Sequence, residues 1–360
     1  MRIIHVITTI ERGGAEKQLL TLAKRQVETG KNISILYLKG APELAEEFTT
    51  IGSSVIGEFA NKNPLMQFLR LRRFLHRNED IWVHAHLPRA EMMVGFSSRK
   101  RKFIFSRHNA EPFFPGSPRK ISSFLSRSVS RRAFSGIMIS QDVMKFCQDH
   151  NEIAKGCRIE VVYYGVTDNL EIVRKPREIS ESQPVHFGTV SRLVPQKDIP
   201  TLLAAFSLHL REFPKDTLRI VGSGPLSKSL VDFCKSKGIS DQVFWLGRTD
   251  NVSEFYSTLD VFVLASKYEG FGLVLLEAMQ MGLPIISSNI SAIPEVVGEG
   301  NGLFFEVGNP QELSTRMGEM RGTEMRTHYS DLSRMRSKVF SATQMETKIE
   351  EVISKMQAQL

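Results

Sequence analysis

Short apolar runs rich in β-branched and aromatic residues alternate with segments of helical period along nearly all of this 360-residue chain, and that alternation most constrains its fold. The runs predict strands at residues 3–8, 33–38, 81–84, 103–106 and 136–140, with helices between them. A strand that must be followed by a helix before the next strand pairs in parallel, so both faces of the sheet are covered by helices. The rhythm breaks in a charged, Pro-containing stretch at 171–184. It restarts with strands predicted at 185–190, 218–221, 243–246, 261–264 and 284–287. The length also exceeds one comfortable core, so two domains are expected, over 1–173 and 184–340. From about residue 311 the chain is helical, polar and without strands. Its last part, 341–360, is a helix that either wraps the second domain or crosses back to the first. In doubly wound sheets, ligands sit at the carboxyl ends of strands.

Other classes fall away on composition. The three cysteines, Cys147, Cys157 and Cys234, form no C-x-x-C, which disfavours a disulfide framework and a cysteine zinc site and fits a reducing compartment. The apolar start is too short for a signal sequence, and no run reaches the roughly 18 apolar residues of a membrane span. A cytoplasmic protein is expected, free or on a membrane surface. The net charge of +8 is uneven: residues 1–175 hold 28 Lys and Arg against 17 Asp and Glu, and the remainder 19 against 22. A basic half attracts nucleic acid or an anionic membrane, but no nucleic-acid recognition motif accompanies it, so no nucleic-acid partner is expected. The basic amphipathic segment 64–77, with Arg70 and Arg73, is followed by the charge run 99–102 and by Arg127, Arg131 and Arg132. Between these, the loop 112–116 offers Phe113 and Phe114 with little room to bury both. Basic charge with apolar wedges suits anionic lipid and a polyprenyl-linked acceptor. The plainer reading of 64–77 is a solvated face above a core stripe.

Several residues carry chemistry. Gly13 and Gly14 open a helix, either as a simple turn or as a place where a phosphate meets backbone N–H groups. The pair is not G-x-G-x-x-G, and Lys39 rather than an acid follows the second strand, which removes the best markers of a nicotinamide-dependent dehydrogenase. Arg192 and Lys197, at the end of the strand predicted over 185–190, can neutralise the two phosphates of a diphosphate, unless the loop is merely basic. Glu269 and Glu277 flank a helix start near Gly272, with Glu277 about 7 to 8 Å along the axis. Two carboxylates so placed can bind hydroxyls at opposite ends of a nucleotide sugar, with the amides of Phe271, Gly272 and Leu273 facing the diphosphate. Glu277 stands among Leu275, Leu276 and Met279, so a buried carboxylate there needs a partner. The turn Gly222-Ser223-Gly224-Pro225 frames a nucleobase or is simply a turn. His84 and His86 share a strand face, but no third metal ligand lies at a characteristic spacing, and no metal site is expected.

In sequence order, these motifs resemble the retaining glycosyltransferases of family 4, which have the GT-B fold: G-G-x-E at Gly13–Glu16, G-x-x-S-R-L-x-x-x-K from Gly188 to Lys197, G-x-G-P at Gly222–Pro225, and E-x7-E at Glu269 and Glu277. The resemblance covers about residues 3–308. It implies two doubly wound, Rossmann-like α/β domains facing across a cleft, the first binding acceptor and the second the nucleotide sugar. It also implies that Arg192 and Lys197 hold the leaving diphosphate, Glu277 the ribose, Glu269 the transferred sugar, and Gly14 an amide near phosphate or acceptor. His108 matches the family histidine that contacts the donor sugar. Gly222, Gly224, Arg248, Phe271, Gly272, Leu273 and Glu277 complete the donor set. Where the family has Asn-Gly-Val-Asp, this chain has Tyr164-Gly165-Val166-Thr167. The activity implied is metal-independent retaining transfer of a hexose from a UDP- or GDP-sugar to a glycan or lipid-linked saccharide in surface polysaccharide or lipopolysaccharide assembly, with no cofactor and on the inner face of a membrane. Its rivals are a nucleotide-sugar epimerase of the same fold and a non-catalytic nucleotide-sugar-binding protein.

Overall fold

The computed structural model describes residues 1–78, 80–99, 102–167, 183–249 and 251–359. Of the stretch 171–184 where the domain boundary is expected, residues 171–182 lie outside these, as do Lys100 and Arg101 of the basic run. The chain forms two units, Met1–Asp168 with Phe340–Leu360, and Asn169–Val339.

In the first unit, strands β1 (Arg2–Ile7), β2 (Asn32–Tyr37), β3 (Ser54–Ile56), β4 (Trp82–His86), β5 (Phe103–Arg107), β6 (Ser135–Met138) and β7 (Arg158–Val161) form one parallel sheet in the order β3-β2-β1-β4-β5-β6-β7. In the second, β8 (His186–Val190), β9 (Thr217–Val221), β10 (Val243–Trp245), β11 (Val261–Leu264), β12 (Ile285–Ser288) and β13 (Leu303–Phe305) form another, in the order β10-β9-β8-β11-β12-β13. Both are doubly wound α/β sheets. Every residue of the central strand β11 is buried, as helices on both faces require. Strands β3, β7 and β13 are absent from the sequence expectation. All three are sheet edges of three or four residues, too short to carry a periodicity of their own. The direction of strand order reverses between β1 and β4 and again between β8 and β11, the points at which doubly wound sheets place their ligands.

The last helix, Ala342–Gln357, is part of the first unit. It packs on the Gly14–Glu28 helix, with Thr29 Oγ1 donating to Glu346 Oε1 (3.1 Å) and Lys31 paired with Glu346 and Glu350. Gly165 permits this return: a Cβ there would lie 2.5 Å from the Ser341 carbonyl oxygen, beside the parallel bridge of Val166 with Ser341.

One correction concerns the loop at 112–116. Phe113 is only 1% exposed, with the Arg107 guanidinium 4.2 Å from its ring centroid and its N–H donating to Glu152 Oε1 (2.8 Å). Phe114 is half-buried and packs edge-on against Phe113. The loop therefore folds inward over an ionic core rather than presenting two wedges outward. In that core, Arg107 Nε lies 2.7 Å from Glu91 Oε2 and Nη1 lies 3.1 Å from Glu152 Oε2, and all three side chains are buried. Removing the cation leaves two buried carboxylates facing each other. Arg107→Met should therefore cost on the order of 3–5 kcal/mol in urea unfolding. Burial pushes the Glu91 carboxyl up to about 7 against the pull of Arg107. The folded chain thus holds a proton that the unfolded chain releases from about pH 4.5 upward, and this contribution to stability fades as pH rises through about 7. Glu91→Gln should flatten that part of the stability profile.

Candidate active site

In the second unit, four loops gather at the carboxyl ends of β8, β9, β10 and β11. The β8 loop carries exposed Arg192 and half-buried Lys197, and the β11 loop carries Glu269. The two loops are joined where the strand order reverses: Lys267 N–H donates to the Gln196 carbonyl (2.8 Å), Gln196 Nε2 donates to the Tyr268 carbonyl (3.0 Å), and Lys197 Nζ pairs with Glu269 Oε1. Ser266 Oγ also donates to that carboxylate (2.7 Å), and the Glu269 N–H donates to Ser291 Oγ (2.9 Å). Lys197 is therefore paired within its own chain, whereas Arg192 has no carboxylate partner among the described residues.

The helix Leu273–Gln280 begins at Gly272, whose φ of +90° is a conformation that glycine adopts without strain. Phe271 is buried beneath this start. Glu277, one and a half turns on, is half-buried, and Tyr256 OH donates to its Oε2 (2.9 Å). Burial holds the Tyr256 hydroxyl well above its ordinary pKa, so it remains a donor. Tyr256 is the partner that a carboxylate at 277 requires. It lies on the preceding helix, 21 residues away, and no local motif points to it.

The glycines at 222 and 224 have a packing reason. A Cβ on Gly222 would lie 1.8 Å from the Ser191 carbonyl oxygen, and one on Gly224 would lie 2.4 Å from that of Leu193. The turn thus presses against the backbone that carries Arg192, tied by Leu193 N–H to Ser223 O (2.9 Å) and Leu226 N–H to Leu193 O (3.1 Å). Exposed Arg248, after β10, joins this turn by donating from Nε to Ser223 Oγ (2.8 Å).

In the first unit, His108 is half-buried at the end of β5. Its Nε2 is 3.2 Å from His86 Nδ1, and its Nδ1 meets the Tyr164 hydroxyl. Burial, with Arg107 next in the chain, pushes His108 down to about 3, so the ring is neutral near pH 7. Tyr164, where the family pattern has Asn, is thus the partner of the candidate histidine. Gly14 is exposed at its helix start, but the space over Gly13 is taken by the chain's own Glu16: a Cβ at 13 would lie 2.3 Å from Glu16 Oε2. Thr9 Oγ1 donates to that carboxylate (2.6 Å), and burial raises its pKa. Arg70 and Arg73 are exposed on the helix Pro64–Arg77, as are Leu65, Met66 and Leu69. On the Arg119–Arg132 helix, which like Pro64–Arg77 packs against the Pro88–Ser97 helix, Ile121 and Phe124 are exposed as well.

Residues 12–170 match the family model described as Glycosyltransferase Family 4, and residues 171–330 match that described as Glycosyl transferases group 1. A putative glycosyltransferase, EpsF of Bacillus subtilis (strain 168), is 24% identical over 332 residues, covering 87% of this chain and 85% of that protein. The N-acetyl-alpha-D-glucosaminyl L-malate synthase of Bacillus anthracis is 28% identical over 240 residues, 63% of this chain. The alignment spans 61% of the synthase's length, less than two thirds. Among solved structures, Anabaena HepE in complex with UDP and glucose superposes with a TM-score of 0.81 at 19% identity, covering 98% of this chain and 99% of that one.

The close approach at Gly222 makes a stability prediction. Gly238, with φ +67° and open space around it, should tolerate alanine at about 1–2 kcal/mol. Gly222→Ala should cost clearly more, because a backbone oxygen blocks the Cβ. Parallel urea titrations of the two variants check the order.

Proposed function

Since the chain belongs to glycosyltransferase family 4 and is a glycosyltransferase with the GT-B fold, we propose that it transfers a hexose with retention from a UDP- or GDP-sugar to a glycan or polyprenyl-linked saccharide in surface polysaccharide or lipopolysaccharide assembly. The observation that carries the donor reading is the charge pattern at the end of β8. Lys197 is already paired with Glu269, while Arg192 stands exposed with no carboxylate partner among the described residues, available to an incoming anion.

Transfer passes through an oxocarbenium-like state as the nucleoside diphosphate leaves with growing negative charge, so positive charge at the diphosphate is the first need. Arg192 supplies a bidentate fork and Lys197 a point charge, and the amides after Gly272 add the positive end of a helix. Glu269 then accepts hydrogen bonds from the transferred sugar. Glu277, oriented by Tyr256, accepts them from the ribose. Gly222, Gly224, Arg248, Phe271 and Leu273 complete the donor set. The chain has no D-x-D motif, and protein cations at the diphosphate fit a transfer that needs no divalent ion or other cofactor. For retention, the departing phosphate oxygen takes the acceptor's proton on the face it leaves, so no strong base is needed. His108 keeps the contact with the donor sugar, and Gly14 the amide near phosphate or acceptor, that the family resemblance implies. The complex of HepE with UDP and glucose, and that of Staphylococcus aureus TarM with UDP, support a nucleotide-sugar donor by likeness of fold.

The test is nucleoside diphosphate release from a panel of UDP- and GDP-sugars in EDTA, with and without polyprenyl-diphosphate-linked saccharides. Acceptor-dependent release with the anomer preserved is expected. An inverted anomer, a need for divalent ions, or epimerised donor without release would each overturn its part of the reading. Arg192→Ala should lower kcat about 10²- to 10³-fold, and Glu277→Ala should mainly raise the donor KM. Wild-type kinetics in either variant would remove that residue from the site.

We further propose that the Pro64–Arg77 and Arg119–Arg132 helices rest on an anionic membrane, on its inner face. No described helix is long and apolar enough to cross a membrane. Exposed Leu65, Leu69 and Phe124 supply apolar contact, and Arg70 and Arg73 supply charge. In cosedimentation, phosphatidylglycerol-containing vesicles should retain the protein better than pure phosphatidylcholine ones. Leu69→Asp and Phe124→Asp should each weaken retention about tenfold or more, and equal retention of all forms would exclude this surface.

A further inference from the structure

A second constellation lies inside the first unit, away from the loops. His5 on β1 is the register partner of His84 on β4, and Ile7 is that of His86. The period of two therefore puts His5, His84 and His86 on one face of the sheet. All three are at most 2% exposed, and one ring nitrogen of each lies within 4.8 Å of those of the other two.

The remaining nitrogens define what the cluster can hold. His5 Nε2 is 2.8 Å from Gln26 Oε1, His84 Nε2 is 2.7 Å from Ser106 Oγ, and His86 Nδ1 is 3.2 Å from His108 Nε2. On the inner side, His5 Nδ1 and His86 Nε2 are 3.0 Å apart. His84 Nδ1 is buried with no hydrogen-bond partner among the described residues. An unpaired ring nitrogen in the core is costly. Three imidazoles whose outer nitrogens are anchored and whose inner nitrogens converge form the arrangement in which histidines hold a metal. A cavity of about 20 Å³ borders His84 and His86, together with Ser106 and His108, and has room for about one water as a fourth ligand.

We infer that His5, His84 and His86 bind one divalent ion of the Zn²⁺ and Co²⁺ class, with a water from the adjoining cavity completing the coordination. Three nitrogen ligands without a carboxylate disfavour Mg²⁺ and Ca²⁺. The ion sits among core strands of the first unit, so the inference does not depend on the transferase reading and is compatible with metal-independent chemistry at the diphosphate. It also reaches toward His108. Without the ion, His5 donates from Nε2 to Gln26, and its Nδ1 accepts from His86 Nε2–H. An ion on these nitrogens shifts the His86 proton to Nδ1, and His108 then carries its own proton on Nδ1. No proton is gained or lost.

The test uses the untagged full-length chain, stripped with EDTA and titrated with Zn²⁺ alone and Co²⁺ alone. One saturable equivalent is expected, with the intense visible absorption of four-coordinate Co²⁺ and a change of protonated nitrogen at His86 and His108 in imidazole ¹⁵N spectra. His84→Ala and His5→Ala should abolish uptake, Ser106→Ala should weaken it about 10- to 100-fold, and His328→Ala, at an exposed position, should leave it unchanged. Uptake that persists in both ligand variants overturns the site, as does wild-type protein that takes up no ion. Should a histidine variant fail to fold, the wild type and Ser106→Ala still decide: a weak octahedral Co²⁺ spectrum, unmoved ¹⁵N signals or unaltered affinity in Ser106→Ala refutes the inference.

Discussion

The constraint on which the rest of the structure depends is that a parallel sheet must be covered on both faces. Its crossovers place helices above and below, and its strands become buried through their whole length. β1 and β11 follow this rule, with Ile3, Ile4, Val6 and Ile7 in one and Val261 to Leu264 in the other all buried. Polar chemistry is then expelled to the strand ends, where backbone groups leave the ladder and loops begin. Arg192, Lys197, Arg248 and Glu269 all stand on such loops. At the reversal between β8 and β11, two of these loops lie close enough for Gln196, Lys197, Lys267 and Glu269 to join them.

The first unit departs from that economy by holding polar groups deep inside. Arg107 sits between Glu91 and Glu152 beneath Phe113, and the histidine row runs from Gln26 through His5 and His86 to His108 and Tyr164. Each is tolerable only because most of its members are partnered, since an unpartnered buried polar group costs more than an apolar one of the same shape. The ionic triad and the histidine row leave β5 by adjacent residues, Arg107 and His108, with side chains on opposite faces of the strand. Packing on one side of the sheet therefore bears on the backbone that presents His108 on the other.

What was legible in the chain follows the range of the interactions concerned. The alternation of runs yields the two doubly wound sheets, because central strands such as β1 and β11 are largely or wholly apolar and announce themselves locally. β3, β7 and β13 escape because edge strands of three or four residues are made by pairing rather than by their own pattern. Gly272 at a helix start and the spacing from Glu269 to Glu277 are local features and are found where the motif puts them. Tyr256, which holds Glu277, is invisible from the motif because the contact joins two helices. Phe113 reads as exposed because its loop is short and flanked by prolines, whereas a cation 4.2 Å from its ring accounts for its burial.

The sequence by itself determined the alternation that makes parallel sheets, the basic character of the first half and the residue types at the ends of β8 and β11. These depend on neighbours within a few positions along the chain. Only the tertiary structure decided that Lys197 meets Glu269, that Gly222 must be glycine because the Ser191 carbonyl occupies the space of its Cβ, and that His5 joins His84 and His86. Those outcomes rest on strand order and register. Both are set by which faces the whole chain can bury at once, so no window of residues contains them.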